Sequence, residues 1–363
     1  MKFVKSTELD NYLNELIDKH ELNLSISDLL GNIISNRDIT NEKEINLLCE
    51  RFKSDKHKVF LSKISDYLDI DMSIEDNEEI FNKYIANAIH YLDEDKYLNN
   101  PYLKAIKLSK PIKFKGYELK MDRFSPYELF AYQDMASIDY IEINSLGYFA
   151  HPYSFVTLDY QGVTWMNITP NEIETMEKSI NQIKGDVIVF GLGLGYLPFM
   201  ISNKSDVKHI KVIENDPNII KLFKDNLIDY FTNKDKIEII QDDASNYLNK
   251  ELKCDYAFID LWHSPLDGLE WFIKFKKSEK YNRSTTYLYW LESSFYLYLR
   301  RLMMTLIEET IDSQKVDYSK ESNYEDHIIN IYHKKTKDLV ISNKAQLDKL
   351  LSEQSLIELL LND

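Results

Sequence analysis

The chain is 363 residues long, with 44 Lys and Arg against 60 Asp and Glu (formal charge −16), 44% hydrophobic and 29% charged residues. That length calls for two or three domains, the composition excludes a mainly disordered chain, and the acidic field disfavours a nucleic-acid partner. Two cysteines, Cys49 and Cys254, cannot build a disulfide framework or a cysteine zinc site, which points to a reducing compartment.

The N-terminus has no apolar core before its acids, and no apolar run approaches the roughly 20 residues of a membrane helix, so a soluble, cytoplasmic protein is expected. Residues 1–100 read as a helical domain. Leu9, Tyr12, Leu13, Leu16 and Ile17 recur at helical spacing, as do Ile45, Leu47, Leu48 and Phe52. Residues 25–28 and 73–76, each opening on Ser, supply helix starts, the second leading into Ile80, Tyr84, Ile85, Ala88 and Ile89. Residues 101–183 read as a mixed, β-containing connector. Positions 112–121 alternate around Gly116 as a hairpin would, and 140–143 and 155–166 are further strands. A helix then starts with Thr169 at the cap, Pro170 at the first position and Glu172 three residues after the cap. Lysines 104, 107, 110, 113, 115 and 120 with Arg123 make a basic stretch, read as a solvated face.

From 184 to 363 strands alternate with helical runs. Strands are expected at 186–190, 207–213, 237–240, 256–259 and 285–290, which means a mostly parallel sheet with helices on both faces. Residues 327–332 and 338–341 read as a closing strand pair, and Leu347 to Leu361 as terminal helix. His327 and His333 on such strands have no metal-ligand spacing, and no metal is expected. The aromatic run from Tyr281 to Tyr298 reads as core.

Gly191, Gly193 and Gly195 follow the first strand of the alternating region and open a helix, so the backbone can turn tightly and approach a ligand. The next strand ends in Glu214, about 20 residues on, where a carboxylate meets a ribose diol in dinucleotide-binding folds. Asp216 before Pro217 reads as a helix cap. The third strand closes on Asp242 and Asp243, the fourth on Asp260. Three strand-end acids behind a glycine loop converge on the crevice at the sheet's C-terminal edge. His263, near the same point, is a candidate general base. A nicotinamide or flavin fold would space its glycines differently and leave the later acids without a role.

Over residues 184–300 the chain resembles the class I S-adenosylmethionine-dependent methyltransferases, including their relatives the spermidine and spermine synthases. The resemblance implies a Rossmann-like fold binding S-adenosyl-L-methionine. Gly191, Leu192, Gly193 and Gly195 would cradle the methionine part, and Glu214 with Asn215 the ribose. Asp242, Asp243 and Ala244 would meet the adenine, while Asp260 and Leu261 would sit where the transferred group meets its acceptor, with Trp262 as a wall. Asp260 and His263 are the implied catalytic pair. The chain departs from the pattern at Val189, where many of these methyltransferases carry an acid, and at His263-Ser264-Pro265, where polyamine synthases carry a second acid. Leu158-Asp159-Tyr160-Gln161 and Glu172 are faintly like the strand and helix of those synthases. Methyl transfer to a small-molecule acceptor is the expected activity. The alternatives are aminopropyl transfer and a non-catalytic nucleoside-binding protein; nucleic acid and membrane are not expected as partners, and a homo-oligomer stays open.

Overall fold

A computed structural model of the chain describes residues 1–37, 39–312, 318 and 320–361. Helix α1 (Thr7–Ser35) is capped by Ser6, whose Oγ accepts from the Leu9 amide at 3.1 Å. It runs unbroken through residues 25–28, where the sequence predicts a new start. Ser25 Oγ instead donates to the Glu21 carbonyl one turn back, a bond open to serine inside a helix. The second predicted start also shifts: the helix there spans Glu75–Ile80, and Ser73 bonds Asp71 rather than capping it. Leu9, Tyr12, Leu13 and Leu16 are buried as their spacing predicts, whereas Leu47 and Phe52 are each 64% exposed. The first half of α1 joins the core of the large parallel sheet. Its second half, through Ile26, Leu30 and Ile33, joins a separate core with Phe60, Ile64, Phe81 and Tyr148.

Strands β1 (Ile112–Phe114), β2 (Tyr117–Phe124), β3 (Tyr153–Tyr160) and β4 (Val163–Asn167) form an antiparallel sheet in the order β4-β3-β2-β1. The β3–β4 hairpin turns on Gln161 and Gly162, both at positive φ (52° and 85°), the turn whose twist matches that of the flanking strands. Helix α2 (Pro170–Gln182) starts at Thr169 as predicted, but no side-chain bond caps it, so the expected capping box does not form.

Strands and helices then alternate: β5 (Gly185–Phe190), α3 (Tyr196–Ser202), β6 (Val207–Glu214), α4 (Pro217–Asn226), β7 (Ile237–Gln241), β8 (Tyr256–Ile259), α5 (Pro265–Ser278), β9 (Thr286–Tyr289) and α6 (Glu292–Ile311). The five strands are all parallel in the order β7-β6-β5-β8-β9, a Rossmann-like sheet. Runs such as Val187–Phe190 and Ala257–Ile259 are buried on consecutive residues, as strands covered on both faces require. The direction of winding reverses between β5 and β8. Right-handed crossovers therefore put α3 and α4 on one face and α5 on the other, and a crevice opens at the C-terminal ends of the central strands.

The predicted closing strand pair is a correction. Residues 327–332 lie in helix α7 (Tyr324–Thr336), and Val340–Ile341 pairs in parallel with Lys2–Phe3 instead. Asn323 caps α7 by accepting from the Asp326 amide at 2.9 Å, and Ile328, Ile331 and Tyr332 are buried at helical spacing. His327 and His333 thus stand on a helix. Two short helices, Lys344–Leu350 and Glu353–Leu361, end the chain. Among the described residues no helix is long and apolar enough to cross a membrane, and no cluster of His, Cys, Asp and Glu could hold a metal ion.

Candidate functional site

The crevice holds a cavity of about 340 Å³, within the range that takes small molecules. One wall is the glycine loop after β5, with Glu214 to Asp216 after β6, Asp242 to Ala244 after β7 and Asp260 to His263 after β8. The other wall is the end of β4, from Trp165 to Ile168, with Glu172 and Met176 of α2. Of the residues singled out from sequence, Gly191, Leu192, Gly193, Glu214, Asn215, Asp242, Asp243, Ala244, Asp260, Leu261 and His263 all line this space; Gly195 does not.

The glycines differ in what requires them. Gly191 has φ +98°, and a Cβ there would stand 2.0 Å from the Asp260 carbonyl oxygen, so the close approach of two loops excludes any side chain. Gly195 is likewise pressed against Phe223. Gly193 has φ +53°, but a Cβ would meet nothing nearer than Met166 Sδ at 3.4 Å. The fold leaves room at Gly193, and that room belongs to the cavity.

Six carboxylates line the cavity, and they fall into two groups. Glu214 is buried, and its oxygens accept from the Leu192 amide (3.1 Å) and the Asp216 amide (2.9 Å), which fixes the glycine loop against β6. Burial still outweighs these bonds and raises its pKa. Asp216 caps α4 through the Asn218 amide (2.7 Å) and accepts from the Tyr117 hydroxyl (2.6 Å). Asp242 accepts from Asn246 Nδ2 and the Asp243 amide, and Asp243 from the Ser245 amide, bonds that hold both below the usual carboxylate range. Asp260 and Glu172 form the second group. Among the described residues no donor meets either side chain. Burial, then the charge of Glu214, pushes Asp260 up to about 7. Burial, then the charge of Asp260, raises Glu172 well above the ordinary glutamate value. Partly buried carboxylates without donors are costly unless something else supplies a cation or a proton.

The lining holds no Lys or Arg. It does hold every tryptophan of the chain: Trp165, Trp262, Trp271 and Trp290. Trp262 Nε1 donates to the Trp290 carbonyl (3.1 Å) and Trp290 Nε1 to Thr175 Oγ1 (2.8 Å), so both rings are held in place. Only Trp262 stands in the set read from sequence as pocket wall. Trp290 reads there as core, and the four come from separate elements with no shared spacing. Glu172 reads from the sequence as a capping residue, because Thr-Pro-x-Glu fits a helix start, and only faintly as the counterpart of the polyamine synthases' helix. With the cap unformed, its side chain reaches the cavity instead. Asp159 does not line the cavity; it pairs with Lys120 at 2.6 Å on the antiparallel sheet. His263 reaches the cavity with both ring nitrogens engaged, one facing Asp267 Oδ2 (3.1 Å) and one the Trp165 carbonyl (3.0 Å).

No family model matches the chain, and no curated protein sequence does. The structure is similar to the spermidine synthase of Thermotoga maritima, with TM-score 0.30 and 15% identity over 41% of this chain and 58% of that one. It is also similar to a probable spermidine synthase from Corynebacterium glutamicum, with TM-score 0.31 and 12% identity over 56% of this chain and 71% of that one. The chain spans less than two thirds of the length of the Thermotoga maritima protein.

Proposed function

We propose that the cavity binds a cationic adenosyl sulfonium together with an amine, and that the protein is an aminopropyltransferase. The observation that carries this is the lining: six carboxylates, two of them without protein donors, four tryptophans, and no Lys or Arg to meet an anion. Acids beside indole faces recognise cations, and a lining without Lys or Arg favours a nucleoside whose side chain ends in an amine rather than in an amino acid carboxylate.

The fit of such a nucleoside rests on Gly193, where the fold leaves open space beside the loop, and on Glu214, which lines the cavity and keeps acceptor capacity beyond its backbone bonds. Asp243 and Ala244 would flank the adenine. When bound, the sulfonium supplies an activated carbon and a neutral thioether as leaving group. The protein's part is placement and proton handling. Glu172 and Asp260 hold the acceptor amine at the cavity floor, and Asp260, raised toward neutrality, takes the proton that the amine must lose.

The test is turnover of decarboxylated S-adenosylmethionine with putrescine or spermidine, read by mass spectrometry. Formation of 5′-methylthioadenosine and a longer polyamine is expected. S-adenosylhomocysteine formed from S-adenosylmethionine, with no turnover of the decarboxylated compound, would make the protein a methyltransferase instead.

A further inference from the structure

Trp165 stands at an irregularity of β4. Thr164 pairs with Asp159 and Met166 with Leu158, so Trp165 is an extra residue outside the ladder. A bulge of this kind re-aims the side chain and leaves backbone groups without strand partners. The indole, 39% exposed, lies at the cavity with its centroid 4.7 Å from that of His263 and the rings steeply inclined at 72°. Its carbonyl accepts from His263 Nε2 at 3.0 Å.

On the other side of the ring, Nδ1 meets Asp267 Oδ2 at 3.1 Å. That carboxylate is itself fixed. It accepts from the His263 amide (3.0 Å) and from both the amide and hydroxyl of Ser264 (2.7 and 2.8 Å), closing a capping box at the start of α5. Partial burial opposes the ionisation of Asp267, but these bonds hold its carboxyl below the ordinary range. Both ring nitrogens of His263 therefore face oxygen acceptors. Whichever nitrogen carries the proton, both positions are occupied by protein oxygens rather than by the open cavity.

We infer that His263 is a positioning residue: a clamp between the start of α5 and the bulge of β4 that holds residues 165–167 over the glycine loop. It is not the proton acceptor. Met166 is the part of the clamped segment that faces the loop, with its sulfur 3.4 Å from where a Gly193 Cβ would stand. On the far side of the hairpin, Tyr117 ties the sheet to Asp216 and packs its ring, tilted by 38°, 4.6 Å from that of Tyr160, so release of His263 frees only the end of β4. The consequence for turnover rests on the transferase reading; the clamp does not.

Amide hydrogen exchange over residues 163–167 of the ligand-free protein tests it, in wild type, His263→Ala and His263→Gln. Loss of the His263–Trp165 hydrogen bond should speed exchange about tenfold in His263→Ala. His263→Gln, whose amide nitrogen can still donate to the Trp165 carbonyl, should return toward wild type. Equal exchange in wild type and His263→Ala would overturn the clamp. The pH profile of kcat/KM with decarboxylated S-adenosylmethionine and putrescine separates clamp from base. The profile should keep its limb near neutrality in both variants, with activity rescued by Gln. Loss of that limb in both would make His263 the base and overturn the inference. A wild-type protein with no turnover on any amine would defeat the transferase reading, while the exchange comparison would still decide the clamp.

Discussion

Asp260→Asn should make the ligand-free protein more stable at alkaline pH. The Asp260 carboxyl is pushed up from 3.8 to about 7 by burial and by Glu214, and no donor in the described structure offsets this. The unfolded chain releases this proton near pH 4, and the folded chain near pH 7. Between those values the folded state binds more protons, so stability falls as pH rises through the window and levels off above it. At about 1.4 kcal/mol per unit, a shift of roughly three units sets a ceiling near 4 kcal/mol. The carboxyl borders a water-accessible cavity, which screens it, and about 1–2 kcal/mol is expected. Urea unfolding at pH 4.5, 6 and 8, on wild type and variant, measures it. The gap in favour of Asp260→Asn should widen with pH and be smallest at 4.5. Parallel pH profiles, or a wild type that gains on the variant as pH rises, would refute the argument that Asp260 is an acid held against its ionisation.

Glu172→Gln should leave the fold intact and raise KM for the amine about tenfold or more in steady-state assays, because a charge-assisted contact to an ammonium is lost; an unchanged KM would remove Glu172 from the acceptor site. Gly193→Val should abolish calorimetric binding of 5′-methylthioadenosine in a folded protein, since a branched side chain fills the open space at a backbone of φ +53°; unaltered affinity would take the loop out of ligand contact. Glu214→Gln should weaken the same binding about tenfold and cost some stability, because an amide donor would face the Leu192 or Asp216 amide across a 2.9–3.1 Å contact. A variant that binds as tightly as the parent would assign the ribose to another residue.

The parallel sheet was legible because strands buried on both faces are short apolar runs, and the helices between them include one that starts at a recognisable cap, Asp216 before Pro217. The glycine loop was legible for the same local reason. What escaped depends on contacts distant in sequence. Residues 327–332 carry apolar side chains at positions that suit either a strand or one face of a helix; the Asn323 cap and the core facing α7 decide for helix. Ser25 and Ser27 look like caps, but α1 has buried residues on both sides of them and continues. Glu172 satisfies a local capping rule that tertiary structure overrides. The four tryptophans come from β4, the loop after β8, α5 and the end of β9, and only the closed fold brings them together.

The central claim is that this cavity selects a cation without a carboxylate. Calorimetric titration of the same protein with S-adenosylmethionine and with its decarboxylated form tests it directly. The decarboxylated compound should bind at least about tenfold more tightly, as one unfavourable carboxylate among six acids implies. Equal or tighter binding of S-adenosylmethionine would contradict the account.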